Sequence, residues 1–244
     1  IKQEENFFRY YVDRVFSPKG IGTVVTGTIL GKKIELNEKI FICDSQMESK
    51  IKNIQVHNTN ALEANISNRA ALNLQGVNIS HINKGDLITK KGHIRGFDGI
   101  DISFKCLKGK KLNHNQTYSL FIGAKKIEVK VLLFDCITNI EEGFATIKAN
   151  ENLYTIFGEK ILLRNANDTI CGGIVLNPII DPMKKNQKRN LLEALNKKDF
   201  TNAYKELLEA HKKGLGIISS TQRFALSHGE AIEFAKKMQD VFID

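Results

Sequence analysis

The sequence has 244 residues, 36 Lys and Arg against 27 Asp and Glu, a net charge of +9, 42% hydrophobic residues, three prolines and no tryptophan. This length holds one large domain or two to three small ones with real cores, and the composition excludes a proline-rich linker and a tryptophan-lined sugar site. Cut near residues 90 and 180, each third carries 12 basic and 9 acidic residues; the dispersed positive charge suits long-range attraction to nucleic acid without a dense basic tail.

Residues 1–90 predict the first domain. Phe8–Val12 and Thr23–Leu30 are rich in aromatic and β-branched residues. Lys39–Cys43, Ile51–Val56, Ala70–Leu74 and Asp86–Thr89 follow as short strands, separated by turn residues such as Gly76 and Asn83–Gly85. Many short strands without long helices predict a small closed barrel. Residues 91–180 repeat that texture and predict a second barrel, with strands at Ile100–Cys106, Thr117–Ile122, Ile127–Phe134, Phe144–Ala149, Lys160–Leu163 and Ile170–Leu176.

The period changes after Pro178 and Pro182, which stop the strand pattern. Residues 181–244 predict a helical, winged-helix-like domain, incomplete or a spacer, behind a basic hinge of Lys184, Lys185, Lys188 and Arg189. Leu191, Leu192 and Leu195 form one apolar stripe. Phe200, Tyr204, Leu207, Leu208 and His211 form another, ended by Gly214. Ser227 with Glu230 reads as a capping box for a helix carrying Ala231, Phe234, Ala235, Met238 and Phe242. Phe224–Leu226 reads as a short strand.

Cys43, Cys106, Cys136 and Cys171 fit no metal-ligand spacing and predict buried free thiols; the histidines are equally scattered, so no metal site is expected. The chain has no run of eighteen apolar residues and no signal peptide, which predicts a cytoplasmic protein without a membrane partner. It begins Ile1–Glu5 rather than with methionine and is strand-like by Phe7, as expected of a piece cut from a longer protein. The loop Lys19–Gly22 satisfies neither the phosphate-loop pattern nor the dinucleotide fingerprint. It predicts a tight strand connection, no bound cofactor and no catalytic residue.

The run Asp13–Thr28, DRVFSPKGIGTVVTGT, resembles the opening of the second domain of translational GTPases that deliver aminoacyl-tRNA. Asn68–Gly76 and Ile82–Ile88 resemble later strands of that domain. Within that group the chain is most similar to the bacterial selenocysteine-specific elongation factors. Asp13-Arg14 resembles their paired Asp-Arg and Ile54–Asn58 a histidine-containing segment. Phe157–Arg164 and Thr169–Pro178 resemble the end of their third domain, with Cys171 departing from the usual glycine-rich run. The resemblance covers essentially the whole chain. It implies two translation-factor β-barrels and a first winged-helix module, a mostly β fold with a C-terminal α part, lacking the N-terminal GTPase domain and the distal winged helices.

The resemblance further implies a partner, selenocysteyl-tRNA, delivered to the ribosome for selenocysteine incorporation at recoded UGA codons. GTP and Mg would belong to the parent protein, a GTPase; a messenger RNA hairpin would be read by winged helices outside this chain. Asp13, Arg14, Arg69 and His57 match positions of the aminoacyl pocket. Two guanidinium groups there would favour an anionic selenolate over neutral serine. Asp13 and Arg14 are neighbours and face opposite sides of an ideal strand. Lys108, Lys110, Lys111, Lys125 and Lys126 are expected tRNA backbone contacts, beside Lys91, Arg95 and Lys105. Two other readings stay open: the equivalent domains of another translational GTPase, and a winged-helix DNA-binding regulator with β-barrel sensor domains, for which Lys205, Lys212 and Lys213 are the candidate contacts.

Overall fold

The computed structural model describes residues 7–211 and 216–238. They form two compact units. One holds the residues up to Arg95 with Gly123–Lys125, the other Gly96–Ile122 with the residues from Lys126 onward.

In the first unit the strands are β1 (Arg9–Phe16), β2 (Thr23–Leu30), β3 (Ile34–Glu35), β4 (Lys39–Ile42), β5 (Met47–Val56), β6 (Thr59–Ala61), β7 (Glu63–Ala64), β8 (Arg69–Leu74) and β9 (Leu87–Thr89). They pair in the order β4-β9-β1-β2-β8-β5, and β5 returns to β4. That pairing closes a six-stranded antiparallel ring, with β6 added outside β5. Alternation along the strands turns Phe8, Tyr10, Val12, Val25, Ile29, Ile51, Ile54 and Leu72 into one buried core. Lys19–Gly22 lies in the β1–β2 connection, and Gly20 and Gly22 take φ of +80° and +91°, the left-handed region that favours glycine.

Tyr10 crosses this core. Its hydroxyl donates to the carbonyls of Ala70 at 2.9 Å and Val25 at 3.1 Å. Gly27 makes room for it: a Cβ there would stand 2.3 Å from the Tyr11 carbonyl oxygen and 2.9 Å from the Tyr10 ring.

The second unit contains β10 (Phe97–Cys106), β11 (Leu112–Asn113), β12 (Gln116–Ile122), β13 (Lys125–Leu133), β14 (Asn139–Ile140), β15 (Glu142–Leu153), β16 (Lys160–Arg164) and β17 (Thr169–Asn177). Its barrel is closed in the order β10-β15-β13-β12-β16-β17, with β17 pairing back onto β10. Ile100, Ile102, Phe104, Leu120, Val131, Ile147 and Leu163 are among the residues filling it.

The helices α1 (Lys185–Asn196), α2 (Phe200–Ala210), α3 (Ile217–Phe224) and α4 (His228–Lys236) follow. Leu191, Leu192, Leu195, Tyr204 and Leu207 bury a common face together with Phe157 and Leu176 of the barrel. The capping box forms as expected: Glu230 N–H donates to Ser227 Oγ, and Ser227 N–H donates to the Glu230 carboxylate. The expected strand at Phe224–Leu226 does not form. Phe224 ends α3 and Ala225 turns left-handed with φ of 54°, so among the described residues no strand follows Asn177. The expected stop at Gly214, Phe242, and the candidate contacts Lys212 and Lys213 lie outside the described residues.

The sequence pattern missed α3 because IISSTQRF is β-branched and hydroxyl-rich, a poor helix former. Tertiary contacts override that propensity. Ser219 to Arg223 are all buried; Gln222 donates to the Thr155 carbonyl at 2.8 Å, and Phe157 N–H donates to the Gln222 carbonyl at 3.0 Å. Arg223 holds Asp181 through both terminal nitrogens, at 2.6 and 2.7 Å, and His211 Nε2 lies 2.6 Å from the same carboxylate.

A second buried carboxylate, Asp101, accepts from the Thr146 hydroxyl at 2.6 Å and the Asn177 amide at 3.2 Å. It lies 2.7 Å from the Lys188 ammonium. The basic hinge is thus largely structural. Lys188 neutralises Asp101, Arg189 pairs with Asp135, and Lys185 and Arg189 both lie over the Phe134 ring.

Candidate functional site on the first barrel

The β1–β2 register slips between Val12 and Arg14: Val12 faces Gly27, Arg14 faces Thr26, and Asp13 is the extra residue. This is a β-bulge. Val12 and Val15 both pack on the core, so the two residues between them share the outer face. The expectation that Asp13 and Arg14 face opposite sides is therefore corrected, because a bulge inserts a residue and breaks the two-residue period.

The neighbouring strands complete the site. Across β2, Thr28 faces Arg69 and Thr26 faces Ala71 of β8. Arg69 Nη1 reaches Asp13 Oδ2 at 2.9 Å, with the arginine side chain 60% exposed and the aspartate 30%. Arg14 is exposed and joins no ion pair among the described residues. Val56 faces Ala70, and the next residue, His57, begins the β5–β6 turn, where His57 and Asn58 have φ of 51° and 62°. Two successive positive φ values define a tight hairpin turn, placing exposed His57 at the register level of Arg69.

Sequence reasoning missed one member. Thr26 alternates outward from core residues Val25 and Gly27, and its Oγ1 is buried without a hydrogen-bond partner. It stands across from Arg14, so the outer face holds an unused polar atom beside a cation. A threonine in a β-branched run carries no sequence signal for that role.

The electrostatics favour exchange. An exposed pair such as Asp13–Arg69 contributes at most about 1 kcal/mol, so a ligand anion can replace the carboxylate at Arg69 cheaply. The charge also reaches the core: burial raises the Tyr10 phenol well above its ordinary range, Asp13 raises it further, and Arg69 offsets part of this.

The lysines expected to meet RNA divide into two sets. Lys110 pairs with Asp168 at 2.7 Å and Lys111 lies 3.9 Å from Glu141. Lys105 pairs with Glu142 at 2.9 Å, and Lys91 pairs with Glu48. Lys125 belongs to the first unit, is largely buried, and pairs there with Asp44 at 2.9 Å. Lys108 is exposed in a turn without an ion pair among the described residues. Lys126 is exposed and lies over the Phe121 ring, which Arg164 also approaches.

GTP and magnesium do not fit these residues. The glycine loop joins two antiparallel strands rather than a strand and a helix, which is not a phosphate cradle. Among the described residues no three His, Cys, Asp or Glu side chains gather to hold a metal, and no helix is long and apolar enough to cross a membrane.

Comparison with known proteins assigns this architecture. No protein-family model matches the chain. A bacterial selenocysteine-specific elongation factor, EF-Sec, superposes with a TM-score of 0.77 over 92% of this chain and 36% of that one, at 23% identity. The tandem barrels with a helical extension are thus a translation elongation factor fold. Curated selenocysteine-specific elongation factors are 28% identical over 192 residues in Desulfomicrobium baculatum and 31% identical over 181 residues in Haemophilus influenzae, covering 76% and 72% of this chain. The chain belongs to the selenocysteine-specific elongation factor family. It spans 30% and 29% of the length of those two relatives.

Proposed function

We propose that this chain is the tRNA-binding middle region of a GTP-dependent factor that delivers selenocysteyl-tRNA to the ribosome. In this reading it divides into a first barrel over residues 1–90, a second over 91–180 and a winged-helix-like module over 181–244. GTP, Mg and the messenger RNA hairpin would be bound by other parts of the whole factor, in the cytoplasm, and the chain itself would catalyse nothing.

The observation that carries the reading is the bulge that sets Asp13 and Arg14 on one face with Arg69. A selenolate is anionic where serine is neutral. Arg69 exchanges Asp13 for the selenolate; Arg14 adds a second cation; the released Asp13 carboxylate accepts from the ammonium of the esterified amino acid. Serine leaves both guanidinium groups without an anion, which is the basis of rejection. His57 and Thr26 border this pocket as polar contacts. Lys108 and Lys126 serve as tRNA phosphate contacts, and Lys110, Lys111 and Lys125 join them only by leaving acidic partners. The family relationship and these contacts support this reading over a DNA-binding regulator.

The test compares affinity for selenocysteyl-tRNA and for the same tRNA carrying serine, at fixed salt. It uses this chain and the whole factor, with Arg14→Ala and Arg69→Ala variants. The expected result is a selenocysteine preference in the whole factor that falls at least tenfold in each variant. Unchanged discrimination in both variants removes the pocket assignment.

A further inference from the structure

The structure brings two cysteines face to face. In the β10–β17 ladder Cys106 is the direct partner of Cys171. Cys106 N–H donates away from that ladder, to the Glu141 carbonyl at 2.7 Å, while Leu107 N–H donates across it to Ile170 at 2.9 Å. The pair is therefore a non-hydrogen-bonded one, in which Cα atoms of opposed strands approach to about 4.5 Å and side chains lie closest. That separation falls within the range of about 4.4–6.8 Å that a disulfide spans. Both side chains point inward: Ile102, Phe104 and Cys106 alternate to the core, as do Val175 and Cys171.

Access is one-sided. Cys171 is fully buried, whereas Cys106 is partly exposed and lines an open cavity between Lys105, Lys111 and Asn139–Glu142. The expectation of four buried thiols is corrected here, since Cys106 and Cys136 both reach solvent. Burial pushes both ladder thiols up, and each lies close enough for its sulfur to contribute to the other's shift. Two thiols thus stand opposed across one ladder, one of them in the core and the other with an exit to solvent.

We propose that Cys106 and Cys171 form a redox-active cross-strand dithiol, closed to a disulfide by a low-molecular-weight disulfide such as glutathione disulfide. Cys106 enters first, as a thiolate, and attacks one sulfur of the oxidant; a mixed disulfide forms and one small thiolate leaves. Cys171 then loses its proton and attacks Cys106 Sγ, and the second small thiolate leaves. One oxidant molecule is reduced to two thiols while the two cysteines lose two electrons and two protons. The product links β10 to β17 immediately before the Lys108–Lys111 turn.

Cys136 is the competitor. Its partly exposed thiol is held below its ordinary range by hydrogen bonds from the Thr138 hydroxyl and N–H. The test incubates the full chain with excess glutathione disulfide, blocks free thiols under denaturing conditions, and maps the peptides by mass. A Cys106–Cys171 crosslink is expected as the main product, unchanged in Cys136→Ser, absent in Cys106→Ser and reversed by dithiothreitol. A stable glutathione adduct on Cys106 with Cys171 still free, or modification of Cys136 alone, overturns the proposal. The wild-type map suffices for this decision if a variant fails to fold.

Discussion

Replacing Arg223 by methionine removes the cation of a buried pair and leaves its carboxylate in place. Both side chains are 5% exposed, and the contacts are 2.6 and 2.7 Å. Arg223 also donates to Asn177 Oδ1 and the Ile179 carbonyl, each at 3.3 Å. After the substitution Asp181 keeps only His211 among the partners described. Breaking one side of such a pair costs about 3–5 kcal/mol, whereas replacing both sides by packed apolar groups is often close to neutral. Arg223→Met is thus expected to lower stability by about 3–5 kcal/mol, or roughly 6–20 °C in Tm for a unit of this size. The double variant Asp181→Leu/Arg223→Met is expected to recover more than half of that loss. The α-helices among the described residues all lie in the second unit, so the far-ultraviolet α-helical signal during urea unfolding follows it. A loss below about 1 kcal/mol, or a double variant as unstable as the two singles summed, refutes the argument that this pair anchors α3 to the barrel.

Further outcomes follow from both barrels. Gly27→Ala is expected to destabilise by at least about 2 kcal/mol, because its Cβ meets the Tyr11 carbonyl and the Tyr10 ring; denaturant midpoints check this. Tyr10→Phe removes the donor to Ala70 and Val25 and is expected to cost about 1–2 kcal/mol. The Tyr10 phenol is raised in the folded state, so the unfolded chain ionises it first. Its contribution to stability is complete below the ordinary tyrosine range of about 10 and is lost as pH rises through the folded value. An alkaline unfolding series is expected to show a steeper loss for the parent than for Tyr10→Phe; equal slopes remove the assignment. Asp101→Asn is expected to weaken the hold of α1 on β10 and β15, since Lys188 loses its anion, and faster hydrogen exchange confined to α1 is the readout.

Much of the local structure was legible in the residues alone. Two-residue alternation marked most of the barrel strands to within a few residues, because a half-buried strand must alternate its side chains. Proline and the change to helical period marked the passage from β17 to α1, and Ser227 with Glu230 marked the start of α4. The residues Asp13, Arg14, Arg69 and His57 were legible as candidates through their resemblance to family motifs. Their spatial arrangement was decided only by the tertiary structure. A bulge shows itself as a slipped register against a partner strand, and no single strand states its partner. Thr26, the Cys106–Cys171 pairing and the Asp181–Arg223 contact are invisible for the same reason: each joins residues distant in sequence or depends on what surrounds one atom. Helix α3 is the clearest case. Its residues favour other conformations locally, and it forms because buried partners at Thr155, Asn177, Ile179 and Asp181 satisfy its Gln222 and Arg223 side chains.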